Sequence, residues 1–189
     1  MPTQNINVGA GLVPEISLFG DWDKLTKAIS QLPIAVAIGA QSGKIAAAEK
    51  IMSLIKKNIR RGGPAGTRWP EYSEKYKKRK AADGVNVDRK WHYHGTYYNN
   101  IKVITKGNST FVGVPRNVRS RVNPKKPLTL GQIANILERG SAAHNIQARP
   151  LWNPTFKEFG GRARVKYHIV WHIRNSVYAM TGLRAKITL

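Results

Sequence analysis

Residues 129–154, TLGQIANILERGSAAHNIQARPLWNP, decide the fold. They read as a capped helix, a glycine stop, a polar loop and a rigid Ala-Arg-Pro step into a second helix. Thr129 and Gln132 have the spacing of a capping box, in which the hydroxyl accepts from a free amide and the carboxamide returns to the cap residue. Ile133, Ile136 and Leu137 stand on one face behind the cap, and Gly140 sits where a helix end favours a left-handed residue. Asn153 and Pro154 supply a cap and a first-turn proline for the next helix. Between Ala148 and Pro150 the backbone of Arg149 is forced extended. Its planar fork then suits carbonyl oxygens or a carboxylate such as Glu138. Nothing in the stretch joins a nucleophile to a base. It holds two helices and an extended loop at a set angle, which points to assembly rather than catalysis.

Upstream, residues 1–15 mix Pro2, Gly9, Gly11 and Pro14 and read as an arm that orders on a partner. Residues 16–19 are a short strand candidate. Asp21 caps a helix in which Leu25, Ala28, Ile29 and Leu32 share a face, and Pro33 is expected to end that helix or begin the next. A longer helix runs to about residue 60, with Ile45, Ala48, Met52, Ile55 and Ile59 as its apolar stripe. Lys56, Lys57, Arg60 and Arg61 suit the negative end of its dipole, and Gly62, Gly63 and Pro64 end it. Residues 70–81 form a short helix closing in Lys77, Lys78, Arg79 and Lys80. Residues 101–105 and 110–114 read as a hairpin across Lys106-Gly107-Asn108-Ser109.

Residues 115–127 form a basic loop carrying Arg116, Arg119, Arg121, Lys125 and Lys126. The last helix spans 154 to about 180. Phe156, Phe159, Ala163, Tyr167, Val170, Trp171, Arg174 and Val177 make its inner face, and Gly160-Gly161 kinks or breaks it. Residues 183–189 alternate Leu183, Ala185, Ile187 and Leu189 with polar residues, a strand at period two. The expected architecture is α+β: a small, mostly antiparallel sheet packed against long helices, with an extended N-terminal arm and a basic loop. One domain over 16–182 would be flanked by the arm 1–15 and a C-terminal strand or interaction tail, 183–189.

With 189 residues, 41% of them hydrophobic, the chain has enough apolar material for a core. It has no cysteine, which excludes disulfides and thiolate chemistry. Residues 32–40 are apolar but too short to span a bilayer, and no secretory leader is read at the start. The expected setting is the cytoplasm, with no membrane partner.

The sequence offers little to catalysis. His92 and His94 would share one side of a strand, and His168 and His172 one face of a helix, but a third ligand would have to come from a distant residue such as His144. The zinc-protease glutamate after His168 is missing, Ile169 standing there, and an ordinary helix surface is the expectation. Residues 39–44, GAQSGK, lack the spacing of a phosphate loop and read as a helix irregularity. There is no Gly-x-Ser-x-Gly. Asp83 and Asp88 sit in a basic loop, not in the carboxylate cluster that magnesium requires. No catalytic, cofactor-binding or metal-binding residue is expected.

The decisive stretch resembles the tail-completion (neck, or virion morphogenesis) proteins of tailed bacteriophages, which carry an Ile-Ala-x-x-x-Glu-x-Gly helix end followed by a Pro-Ala-Arg-Pro-Phe-like loop. The matching residues are Ile133, Ala134, Glu138 and Gly140, then Ala148, Arg149 and Pro150. Trp69, Ser73 and Lys80 resemble a second block of that family, and His94, Gly95, Asn100 and Ile101 a third, with 112–114 as its Val-Gly strand. The resemblance covers roughly residues 16–180. Gln147 stands where proline is usual, Arg139 where an aromatic is usual and His94 where threonine is usual, and 115–127 looks like an insertion.

The resemblance implies a sheet crossed by a long helix. It also implies a structural virion protein of the phage neck: a ring of six or twelve copies joining the head connector or adaptor to the tail terminator or tail tube around a DNA passage. Such a protein is made in the host cytoplasm. Glu138, Gly140, Arg149, Pro150 and Trp152 would form its structural clamp or interface. The runs 77–80 and 116–126 are the candidates for duplex DNA or an acidic partner.

The net charge of +22 suggests nucleic acid by itself, since Lys and Arg displace counterions from phosphates. A free-standing basic nucleic-acid-binding protein is the alternative. Duplex crossing a ring about 40 Å deep offers only roughly 24 charges, far fewer than six such chains carry. DNA would therefore meet a minority of this basicity.

Overall fold

The longest element is a helix of 40 residues, α1 (Trp22–Arg61), about 60 Å at the helical rise. In the computed structural model, residues 21–88, 90–91, 95–115, 117–119, 128–182 and 184 are described. The arm, the strand expected at 16–19, His92, His94, Arg116, Arg121, Lys125, Lys126 and all of the C-terminal strand except Leu183's neighbour Arg184 lie outside them.

Asp21 caps α1 as expected, its Oδ1 accepting from the Lys24 amide at 3.1 Å. Pro33 neither ends nor starts a helix; it lies inside α1. An interior proline removes a ladder bond and costs about 3 kcal/mol. Docking on a second long helix, α6 (Gly161–Thr181), offsets that here: Ala35, two residues on, is fully buried.

The α1–α6 contact is the largest in the molecule, and its chemistry is in two glycines. A Cβ on Gly39 would stand 2.5 Å from the Ile173 Cα, and one on Gly43 would stand 2.5 Å from the Ile169 Cα. The contacts run in opposite chain directions, so the helices are antiparallel and touch backbone to backbone. Ala35 and Ala47 extend the same four-residue row and are buried. The segment 39–44 is therefore regular helix that forms a seam, not an irregularity.

β1 (Lys102–Lys106) and β2 (Ser109–Gly113) form the antiparallel hairpin, with Ile104 opposite Phe111 across the Gly107-Asn108 turn. It lies against α1, where Lys44 Nζ donates to the Asn108 carbonyl at 2.6 Å. Long helices with a small antiparallel sheet make the fold α+β. The core gathers Ile55 and Ile59 with Trp69, Trp91, Tyr97, Ile101, Leu130 and Leu151. Trp69 and Trp91 stack at 5.9 Å, and Tyr97 meets Trp91 edge-on at 5.0 Å.

The shorter helices correct the sequence reading in detail. α2 (Glu74–Ala82) starts later than residue 70, capped by Ser73, because the carbonyls of Pro70 and Glu71 are engaged elsewhere. α3 (Thr96–Asn99) precedes the hairpin, and α4 (Leu130–Arg139) follows it with the full Thr129–Gln132 capping box. The expected last helix is two: α5 (Trp152–Phe159), then α6, broken at Gly160.

α5 begins at Trp152, so Asn153 lies inside it and Leu151 takes the cap position. The inner face of α6 also differs. Val177 is buried, but Ala163, Tyr167, Trp171 and Arg174 are exposed. Ile169 and Ile173 take the seam, because a glycine row admits flat β-branched neighbours rather than large rings.

Candidate functional site

The five residues expected to form a clamp do converge, at the turn from α4 to α5. Gly140 ends α4 with φ 75° and ψ 179°, a glycine-only conformation rather than the left-handed cap expected. A Cβ there would lie 2.7 Å from the Ile146 carbonyl. The Arg149 amide returns to the Leu137 carbonyl at 2.7 Å. The Pro150 carbonyl accepts from the Trp69 indole at 2.9 Å.

Arg149 is 3% exposed. Its Nη2 donates to the carbonyls of Pro70 and Glu71 at 3.2 and 3.1 Å, and its Nη1 to that of Gln147 at 3.2 Å. The guanidinium centre lies 4.4 Å from the Tyr72 ring centroid. Of the two partner types open to Arg149, it takes carbonyls. Glu138 goes instead to the start of α5, accepting from the Leu151 amide at 2.8 Å and the Trp152 amide at 3.4 Å. A carboxylate at a helix N-terminus satisfies orphan amides and complements the dipole. This explains how α5 starts with no side-chain cap of its own. Trp152 is half-buried and packs on the core.

Several members of this region carried no sequence signal. Tyr72 holds Arg149 on its ring and Lys80 Nζ 5.0 Å from the same centroid. Glu158, on α5, accepts from Asn58 at 2.8 Å, from Arg61 at 2.8 Å and from the Ala65 amide at 3.1 Å. It thereby ties the end of α1 and the following loop to α5. Burial alone would raise its carboxyl pKa; the Ala65 amide, Arg61 and Asn58 outweigh that and hold it below the ordinary value. The only hint in the sequence was its rarity, as one of ten acids.

The basic candidates separate. Lys78 and Arg79 are exposed, while Lys77 is half-buried and paired with Glu74 at 3.0 Å. Lys80 is corrected: at 1% exposure it faces inward over Tyr72, and burial lowers its pKa. A partner's phosphate or carboxylate has no access to it. Arg119 belongs to an isolated bridge with Thr129.

His168 is likewise not helix surface. It is 6% exposed, stacked on Phe159 at 5.9 Å, with Nε2 buried and unbonded among the described residues. Burial, then Lys50, Arg164 and His172, depress its pKa. Among the described residues no three His, Asp or Glu side chains are grouped to hold a metal ion, and no helix is long and apolar enough to cross a membrane.

Along their length α1 and α6 carry large apolar side chains in water. Ile29, Ile34 and Ile38 are 55, 56 and 50% exposed, and Tyr167, Trp171 and Tyr178 are 50, 49 and 56% exposed. Apolar residues scattered singly are ordinary on a surface; here six large ones are spread over two paired helices. No protein-family model, curated protein or solved structure matches this chain.

Proposed function

We propose that this chain is a non-enzymatic structural subunit that assembles with copies of itself. The observation that carries this is the set of large apolar side chains exposed along both α1 and α6. Buried against a neighbour, those side chains would supply the hydrophobic drive of an interface. The Arg149 clamp and the glycine seam suit a part whose shape must be held, since neither leaves a reactive group in a cleft.

The particular assembly rests on the resemblance of the 129–154 stretch to phage neck proteins: a ring between head connector and tail, around duplex DNA. The net charge of +22 supports a DNA-lined or acid-faced passage and equally supports the second reading, a free-standing nucleic-acid binder.

Sedimentation of the purified chain separates them. A subunit of this kind forms discrete oligomers, alone or with connector proteins, and Ile34→Glu with Ile38→Glu disperses them without unfolding the chain. A chain that stays monomeric under all these conditions, and binds duplex at nanomolar affinity in physiological salt, belongs to the second reading.

A further inference from the structure

The molecule contains a groove whose occupant can be argued from charge and reach. A cavity of about 580 Å³ opens between β2, α1 and the α5–α6 elbow. Its walls are apolar, with Ile51, Phe111 and Phe156 among them, and Lys44, Arg162 and Lys166 contribute cations. Three successive residues of β2, Thr110, Phe111 and Val112, line it. Successive strand residues point to opposite faces, so β2 meets the groove along its edge. β1 holds the other edge. The Thr110 hydroxyl is buried there with no partner among the described residues. A strand edge with no partner strand among the described residues, apolar walls and cations together fit an extended, apolar segment that carries a carboxylate.

The chain has one such segment. Residues 1–20 contain no Lys or Arg and one acid, Glu15, followed by Ile16, Ser17, Leu18 and Phe19. The other end is wrong in sign: 183–189 carries Arg184 and Lys186 and no acid. Reach then decides whose segment it is. Trp22 to Lys44 spans 22 helical steps, about 33 Å. Six residues of extended chain, from Asp21 back to Glu15, cover at most about 20 Å. The segment cannot fold back into its own groove.

We propose that residues 15–19 of one copy lie in the groove of a second copy as a third strand beside β2, with Glu15 near the groove cations. The contact is heterologous, head to tail, and propagates into a ring where its rotation closes. The inference rests on the self-assembly proposed above and specifies how neighbouring copies engage.

The absence of native cysteine makes the test direct. Ser17→Cys and Phe111→Cys are placed on separate full-length chains, mixed and oxidised. The expected product is the 17–111 disulfide heterodimer, with Ser53→Cys, exposed on α1, as the control that should not link to residue 17. Adding Leu18→Asp to the Ser17→Cys chain should lower the yield by on the order of tenfold, the equivalent of one apolar side chain lost from a contact.

An intramolecular link in the Ser17→Cys/Phe111→Cys double variant, or a 17–111 yield no greater than the control, overturns the proposal. Oligomers that form without the 17–111 link leave the assembly reading standing and remove this contact. Monomers with no link remove both.

Discussion

The guanidinium of Arg149 and the side chain of Lys80 share one aromatic ring, that of Tyr72, at 4.4 and 5.0 Å from its centroid. Two buried cations seldom lie so near one another, and the ring's negative face is what both have in common. The three residues come from α2, the loop before it and the α4–α5 step, so Tyr72 is where the clamp becomes tertiary structure.

Arg149→Ala is expected to lower stability by about 2 kcal/mol, since it removes a buried guanidinium that holds three part-buried carbonyls and empties the ring face. Arg149→Lys should recover little, a point charge being unable to span two carbonyls and stack at once. Lys77→Ala should leave the denaturation midpoint unchanged, its ion pair with Glu74 lying at the surface. Urea midpoints of the three variants check this, and equal midpoints for Arg149→Ala and wild type would refute the clamp.

Gly39→Ala and Gly43→Ala should each destabilise by about 2–3 kcal/mol, because the added methyl meets backbone at 2.5 Å. The sign matters more than the size. In an ordinary helix interior the same change stabilises by up to about 1 kcal/mol. A gain in Tm for either variant would show that the seam is looser than described.

Glu158→Ala should cost about 1 kcal/mol by removing the acceptor shared by Asn58, Arg61 and the Ala65 amide, Asn58 keeping its bond to Thr155. The wild-type carboxyl has a lower pKa folded than unfolded, so its contribution is complete above the ordinary carboxylate value of 4.5. That contribution fades as pH falls through the depressed folded value. The variant should therefore show a shallower loss of stability below pH 4.5, read from denaturation curves across the acid range.

His168 has the opposite sign of charge and the same direction of shift. Its folded pKa lies below the ordinary 6.5, so the unfolded chain takes the proton first. Stability attributable to His168 is intact above pH 6.5 and falls as pH drops toward the folded value. His168→Phe should keep the stack on Phe159 and flatten that part of the profile. An unchanged slope between wild type and variant would remove His168 from the account.

The sequence made the elements legible wherever local chemistry is decisive. The Thr129–Gln132 box, the Asp21 cap, the Gly107-Asn108 turn and the Ile55–Ile59 stripe all depend on neighbours within a few residues, and all four occur. The clamp was legible only in part: Gly140 and the Ala148-Arg149-Pro150 step mark the turn, but Glu138 and Arg149 find partners other than each other.

What could not be read was anything whose reason lies far along the chain. Pro33 continues a helix because α6 supports it. Gly39 and Gly43 have no meaning until Ile173 and Ile169 face them. Lys80 and His168 look like surface until Tyr72 and Phe159 cover them. The exposed rings of α6 follow an approximate helical spacing that suggests an inner face, whereas backbone contact at the seam leaves no room for them.

The glycine seam has a mechanical consequence. Two rods pressed spine to spine at Gly39 and Gly43 cannot slide by small amounts; the next equivalent seating is four residues away, about 6 Å. Bending one rod means bending both. α1 continues past the seam to Ile55 and Ile59 in the aromatic core, so the helix pair and the Trp69–Trp91 stack share one stiff element.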